Sequence, residues 1–393
     1  MAVSYSDGMT ISAHRPWSSE ACRLDEFVDL VDVPTVIDEY PNAAGVEQGV
    51  LVYEADHLRE ATATLVRAEL ADAILNGPGI VKVASAFDAD VLDPVTAAFN
   101  QIIADERAAG TARGDHYAKP GANDRVWNVL EKLALRDPAG FVDYYANDVV
   151  ALLAVSWLGP AYQITSQVNV VNPGGDAQQP HRDYHLGFMT DERAAEYPPH
   201  VHQLSPLLTL QAAVAHCDMP VESGPTMYLP HSQKYGLGYM AWRRPEFIAY
   251  FGEHYVQLPL AKGDAVFLSP ALFHAAGANR STDVRRMANL LQISSAFGRA
   301  MEAMDREAMV NAVYPVLVER RAAGLDDARV ANVVAACAEG YAFPTDLDRD
   351  QPVDGLSPTS QADVVSTALT AGWSPEHLRA ELAAHAARRR SRP

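Results

Sequence analysis

The reading turns on QQPHRDYHLGF, residues 178–188. His181 and Asp183 stand two residues apart, and on an extended strand that spacing sends both side chains to one face. Working outward, the pattern from Tyr162 to about Gly298 is that of strands. Candidates are YQITSQVNVVN, LSPLLTLQAAVAHCD, PTMYLPHS, HYVQLPL, DAVFLSP, LFHAAG and MANLLQISSAF. Turn clusters separate them, among them Asn172-Pro173-Gly174-Gly175, Glu222-Ser223-Gly224-Pro225 and Lys262-Gly263-Asp264. Many short strands with frequent turns predict a barrel or sandwich.

The flanks read differently. Leu58, Leu65, Leu70 and Ile74 recur at roughly helical spacing in residues 54–77, a helix ended by Gly77-Pro78. GIVKVASAF (79–87) is short and β-rich, and Asp88 or Asp90 caps a helix carrying Val95, Phe99, Ile102 and Ile103. A polar loop, GTARGDHYAKPGANDRVWN, precedes another helical stretch that runs to about Ser156. After Arg299 the chain is Ala-rich and helix-like again. The expected organisation is an N-terminal flank over 1–160 with short strands packed on the barrel, a core over 161–298, and a helical extension over 299–393.

Bulk properties narrow the function. The 393 residues are 48% hydrophobic and carry a formal net charge of −19, which gives no basic field for a phosphate backbone. Nucleic acid is therefore not an expected partner. Cys22, Cys217 and Cys337 are too few and too scattered for a disulfide framework or a zinc site. With no secretion-type N-terminus and no membrane-length apolar run, a cytoplasmic protein without a membrane partner is expected. A small-molecule substrate is the expected partner, and a homo-oligomer is left open.

A metal needs a third ligand beside His181 and Asp183. The segment FLSPALFHAAGANR (267–280) offers His274, roughly 90 residues later and just after a Gly-Asp turn. Two imidazoles and a carboxylate on one side of the ion form the facial triad of non-haem iron(II) oxygenases. Arg285, eleven residues past His274, suits the far carboxylate of 2-oxoglutarate, which a guanidinium fork grips with two charge-assisted hydrogen bonds. Strand parity allows Arg285 or Arg286 to do this, and does not choose.

These residues resemble the phytanoyl-CoA dioxygenase family of Fe(II)/2-oxoglutarate-dependent oxygenases, ectoine hydroxylase among them. The resemblance spans roughly 160–298 and rests on His181-x-Asp183, CDMPVESGPTMYLP and GDAVFLSPALFH. It implies an α+β fold dominated by a double-stranded β-helix, the jelly-roll or cupin-like barrel, with flanking helices. It also implies iron on His181, Asp183 and His274, with 2-oxoglutarate and O2 as co-substrates and succinate and CO2 as co-products. It selects Arg285 over Arg286, and matches Asn169 to a first-strand Asn that helps hold 2-oxoglutarate. Related halogenases lack the carboxylate ligand, so Asp183 implies hydroxylation, desaturation or ring formation, in secondary metabolism or elsewhere. Two departures stand out: Pro230-His231-Ser232-Gln233 replaces the usual Pro-Gly-Ser-His, and Ala275 and Ala276 follow the distal His.

Four more residues are candidates for the substrate pocket. Gln167 shares strand parity with Asn169, His185 extends the pattern as His-x-Asp-x-His, and Lys119 and Arg125, with Trp127, sit in the polar loop ahead of the barrel. The same triad on a cupin-like barrel also suits a metal-dependent hydrolase or isomerase, which has no use for an arginine at this place.

Overall fold

The computed structural model describes residues 17–111, 123–352 and 355–392. Lys119 lies outside them. Eleven strands are present among these residues: β1 (Gly45–Glu47), β2 (Val50–Glu54), β3 (Ile80–Ala84), β4 (Asn123–Val126), β5 (Gln163–Val171), β6 (Thr209–Ala215), β7 (Met227–Leu229), β8 (Val256–Gln257), β9 (Ala265–Leu268), β10 (Phe273–Ala275) and β11 (Arg286–Ser294). They form an eight-stranded sheet of order β1-β2-β3-β9-β6-β11-β5-β4 and a three-stranded sheet of order β10-β7-β8. The result is a mixed α/β fold built on one large sheet.

Alternation along the central strands gives the large sheet two distinct faces. On β11, Met287, Leu291 and Ile293 join the main apolar core, while Arg286, Ala288, Leu290 and Gln292 line a cavity. On β6, Leu210 and Val214 face that core and Gln211, Ala213 and Ala215 face the cavity. Helices Ala89–Ala108, Pro138–Tyr145 and Arg306–Ala322 supply Phe99, Phe141, Tyr144 and Val313 to the core side. The small sheet closes the cavity's other side, with its outer face packed on Phe27, Phe247 and Phe251.

The first three strands do more than pack on the sheet. β3 pairs antiparallel with β9, Ile80 opposite Leu268, and parallel with β2, so β1, β2 and β3 extend the sheet itself. The expected helix over 54–77 is two, Ala55–Glu60 and Ala63–Leu75, broken where Ala61 and Thr62 turn extended. The helix after β3 runs Ala89–Ala108 with Asp88 at its N-cap position. Residues 123–126, read as loop, form edge strand β4 against β5, Arg125 opposite Asn169.

His216 ties the layers together. Thr96 Oγ1 donates to the Leu92 carbonyl, so it accepts from His216 Nδ1 at 2.7 Å, and His216 Nε2 accepts from the Tyr144 hydroxyl at 3.1 Å. Asn289 Nδ2 in turn donates to Tyr144. Both ring nitrogens are used in the neutral form. Burial, with Lys262 nearby, pushes the imidazole down to about 3 from 6.5. The unfolded chain therefore takes the proton first: stability is complete above pH 6.5 and falls as pH drops toward 3. Urea unfolding at about pH 7 and about pH 5 should show His216→Gln losing roughly 1–2 kcal/mol less than wild type between the two. Equal losses would mean that His216 does not govern this acid response.

Among the described residues no single helix is long and apolar enough to cross a membrane. The bent apolar pair Pro138–Tyr145 and Asp148–Leu158 supplies Phe141, Tyr144, Val149 and Leu153 to the core instead.

Candidate metal centre and its cavity

His181 lies just outside the small sheet and is held to it by the backbone. Its N–H donates to the His274 carbonyl at 2.9 Å, and the His274 N–H returns the bond at 3.1 Å. Asp183 N–H reaches the Pro270 carbonyl at 3.0 Å. The two segments thus share one register, and potential ligand atoms of His181, Asp183 and His274 lie within 4.8 Å of one another. This cluster could hold a metal ion.

The donor set fits one. His181 Nδ1 bonds the Gln179 carbonyl and His274 Nδ1 the Leu272 carbonyl, both at 2.9 Å, which fixes the proton on Nδ1 and leaves each Nε2 with its lone pair. Those Nε2 atoms stand 3.7 and 3.5 Å from the Asp183 carboxylate. Partial burial raises the Asp183 carboxyl, but His181, His274 and a bond from Gln211 outweigh it and hold it well below the usual carboxylate range. Burial lowers the His274 imidazole, yet its contact with Asp183 raises it on balance. Gln211 Nε2 donates to Asp183 Oδ2 at 2.6 Å, a partner the sequence reading missed.

Arg182, between the two ligands, points the other way. Its guanidinium is buried between the Tyr239 and Phe273 rings, 5.3 and 5.1 Å from their centroids, and donates to the Ser232 and Tyr235 carbonyls. A Cβ on Gly238 would lie 1.8 Å from its Cζ, so a glycine there makes room for the guanidinium. Gly187 is more critical still, because a Cβ there would come 1.8 Å from the Arg182 carbonyl oxygen, part of the backbone joining the two ligands. Gly187→Ala should destabilise the fold by about 2 kcal/mol, read in urea unfolding, and weaken metal binding. Unchanged stability would mean that this backbone has slack.

The cavity measures about 700 Å³ and its wall includes His181, Asp183, His274, Asn169, Arg125 and Arg286. Of the two candidate arginines, the structure places Arg286 inside and Arg285 outside. β11 begins at Arg286, whose parity carries it to the cavity face, where it is 6% exposed and its Nη1 has no partner among the described residues. Burial lowers its guanidinium to about 10, so it stays charged at neutral pH. Arg285 is half exposed, bonds Asn172 Oδ1 at 3.3 Å and lies 3.8 Å from Asp124. The expectation for Arg285 is corrected accordingly.

The other candidates divide. Asn169 lines the cavity and its Oδ1 is buried without a partner among the described residues. Arg125 also lines it, its guanidinium 4.7 Å from the Trp127 ring centroid and 2.8 Å from Gln167 Oε1. Gln167 is fully buried and supports Arg125 without itself lining the wall. His185 does not line the cavity. Tyr184 takes φ of 35°, which ends the extended run, so strand parity fails there and the His185 ring turns to Ser205 Oγ at 3.1 Å.

The three-ligand cluster, its cavity and the buried Arg286 are the parts that a 2-oxoglutarate-dependent non-haem iron enzyme needs. The chain belongs to the phytanoyl-CoA dioxygenase family, whose profile matches residues 75–287, more than half of the sequence. The cofactors of such an enzyme are Fe(II), 2-oxoglutarate and O2. Similar solved structures include the non-haem α-ketoglutarate-dependent epimerase SnoN from nogalamycin biosynthesis, at 21% identity and TM-score 0.40 over 58% of this chain and 81% of that one. The carbocyclase SnoK from the same biosynthesis shows 20% identity and TM-score 0.42 over 60% and 87%. AviO1 from Streptomyces viridochromogenes Tue57 shows 17% identity and TM-score 0.43 over 59% and 97%. No curated protein sequence matches the chain.

Proposed function

We propose that this enzyme oxidises an unactivated C–H bond of a small organic substrate, most simply by hydroxylation, with iron on His181, Asp183 and His274. The observation that carries the reading is a three-ligand cluster sharing one cavity with the buried, charged Arg286. When bound, iron and 2-oxoglutarate supply the oxidising chemistry, O2 being consumed and succinate and CO2 released.

The chain's own residues bind and orient. The backbone carbonyls at Gln179 and Leu272 keep both Nε2 atoms aimed at one point, and Gln211 occupies one carboxylate oxygen, leaving the other for the ion. Arg286 would pair with the far carboxylate of 2-oxoglutarate, and Asn169, which lines the same cavity, would help hold that molecule. Arg125 and Trp127 form part of the substrate's wall, supported by Gln167. The two sheets facing each other across the cavity suit a double-stranded β-helix, with residues 161–298 as its centre and the flanks completing it. Cys22, Cys217 and Cys337 form no disulfide, which suits a reducing cytoplasm, and a role in secondary metabolism suits the reaction type.

The test is aerobic incubation of the iron-loaded enzyme with 2-oxoglutarate and candidate substrates. Succinate should form only when a substrate is present, with a product one oxygen heavier, or two hydrogens lighter for desaturation or ring closure. Turnover without O2 or 2-oxoglutarate would instead favour a cupin-like hydrolase or isomerase.

A further inference from the structure

The same wall carries a pair of buried amides, one of them the Gln211 that bonds Asp183, whose remaining polar atoms have no role in the reading above. The register of β6 against β11 sets Gln211 directly opposite Gln292, and both line the cavity. They are 5% and 6% exposed, and each Oε1 is buried without a partner among the described residues. Leu268 stands across from Gln211 on β9, Ala213 and Leu290 form the next apolar row, and Thr165, opposite Gln292 on β5, spends its hydroxyl on the Gln292 backbone carbonyl.

Chemistry fixes the direction of the first amide. A carboxylate only accepts, so the Gln211 nitrogen must face Asp183 Oδ2 and its carbonyl oxygen must point elsewhere. Opposed residues on paired strands hold their side chains about 5 Å apart, so the Gln292 amide sits beside it. Gln292 can turn its N–H toward Gln211 Oε1 or away from it. In either setting the pair leaves a carbonyl oxygen and an N–H for something else, at a depth where unpaired polar atoms are costly.

A carboxylate on the ligand would accept only and would meet a carbonyl lone pair. An ammonium would donate only and leave the N–H unmatched. A hydroxyl does both with one atom, small enough to sit beside a metal ligand. We infer that the substrate is a largely apolar molecule bearing a hydroxyl group, which docks on the Gln211–Gln292 pair next to Asp183 and sets which carbon faces the metal. The inference rests on the oxygenase reading of this cavity.

The test uses Mn(II) as an inert metal, 2-oxoglutarate, and matched pairs of alcohols and their deoxy parents from one to four fused rings, for instance 2-decalol and decalin. Binding is followed by calorimetry. For the wild type, hydroxylated members should bind at least about 10-fold tighter than their parents. In Gln292→Met, which keeps side-chain length, the preference should shrink to about 3-fold or less, and Gln292→Asn should restore part of it if Met perturbs packing. Equal affinity within pairs, or no binding by any hydroxylated member, overturns the inference. Failure of wild type and Gln292→Met alike to bind Mn(II) and 2-oxoglutarate would instead strike the oxygenase reading, since the proposed metal and 2-oxoglutarate sites do not include Gln292.

Discussion

Arg286→Ala is expected to raise the KM for 2-oxoglutarate by about 100-fold or more, while Arg285→Ala stays within about 3-fold of wild type. The two neighbours differ in place: Arg286 opens β11 on its cavity face, whereas Arg285 precedes the strand and lies outside the cavity. Arg286 is enclosed, charged at neutral pH and short of a partner at Nη1 among the described residues, so a dicarboxylate would bring it the anion that burial has denied it. Removing that guanidinium strands the far carboxylate in an apolar wall, a loss of roughly 3 kcal/mol for a buried charge-assisted pair. Arg285 already rests in solvent near Asn172 and Asp124, where an ion pair contributes little. Initial rates of succinate formation against 2-oxoglutarate concentration decide the matter. A larger defect in Arg285→Ala than in Arg286→Ala would reverse the assignment.

The second large effect is expected at the ligands themselves. His181→Ala or Asp183→Ala should weaken iron binding by at least about 100-fold in anaerobic titration and abolish substrate-dependent succinate formation. The fold should survive either change, because the backbone bonds between residues 181 and 274 do not involve the side chains. Asp183→Ala carries an extra consequence: two imidazoles and the Gln211 amide lose the anion they converge on. Full iron affinity with an unaltered circular dichroism spectrum would remove this cluster as the metal centre.

Much of the site was legible in the sequence because strand periodicity is a local property. Two residues of spacing put His181 and Asp183 on one face, and a strand-like LFHAAG carried the second histidine. Counting failed where the chain leaves regular structure. Between β10 and β11 the connection is irregular, so eleven residues past His274 is a weaker guide than the point where β11 resumes, and that point is Arg286. His185 was misjudged for the same reason, one left-handed residue having broken the alternation.

The cross-sheet partnerships were illegible for another reason. GIVKVASAF reads as a strand, but nothing local says that Ile80 will pair with Leu268, a residue far along the chain and on the other side of most of the core segment. Nor did any spacing link Gln211 to Asp183, since that bond spans a strand and a loop that only the folded register brings together. β4 was hidden by its polar composition, as an edge strand often is.

The position of Arg182 has a consequence for how metal is loaded. Its anchorage among aromatic rings and carbonyls belongs to the packing behind the small sheet, and the imidazoles are oriented by main-chain oxygens, none of which is among the proposed ligand atoms. An ion bound by the proposed ligands would meet side chains already oriented by groups that are not themselves ligands. Loading would then be governed by the shedding of hydration water, a diffusive event rather than a folding one.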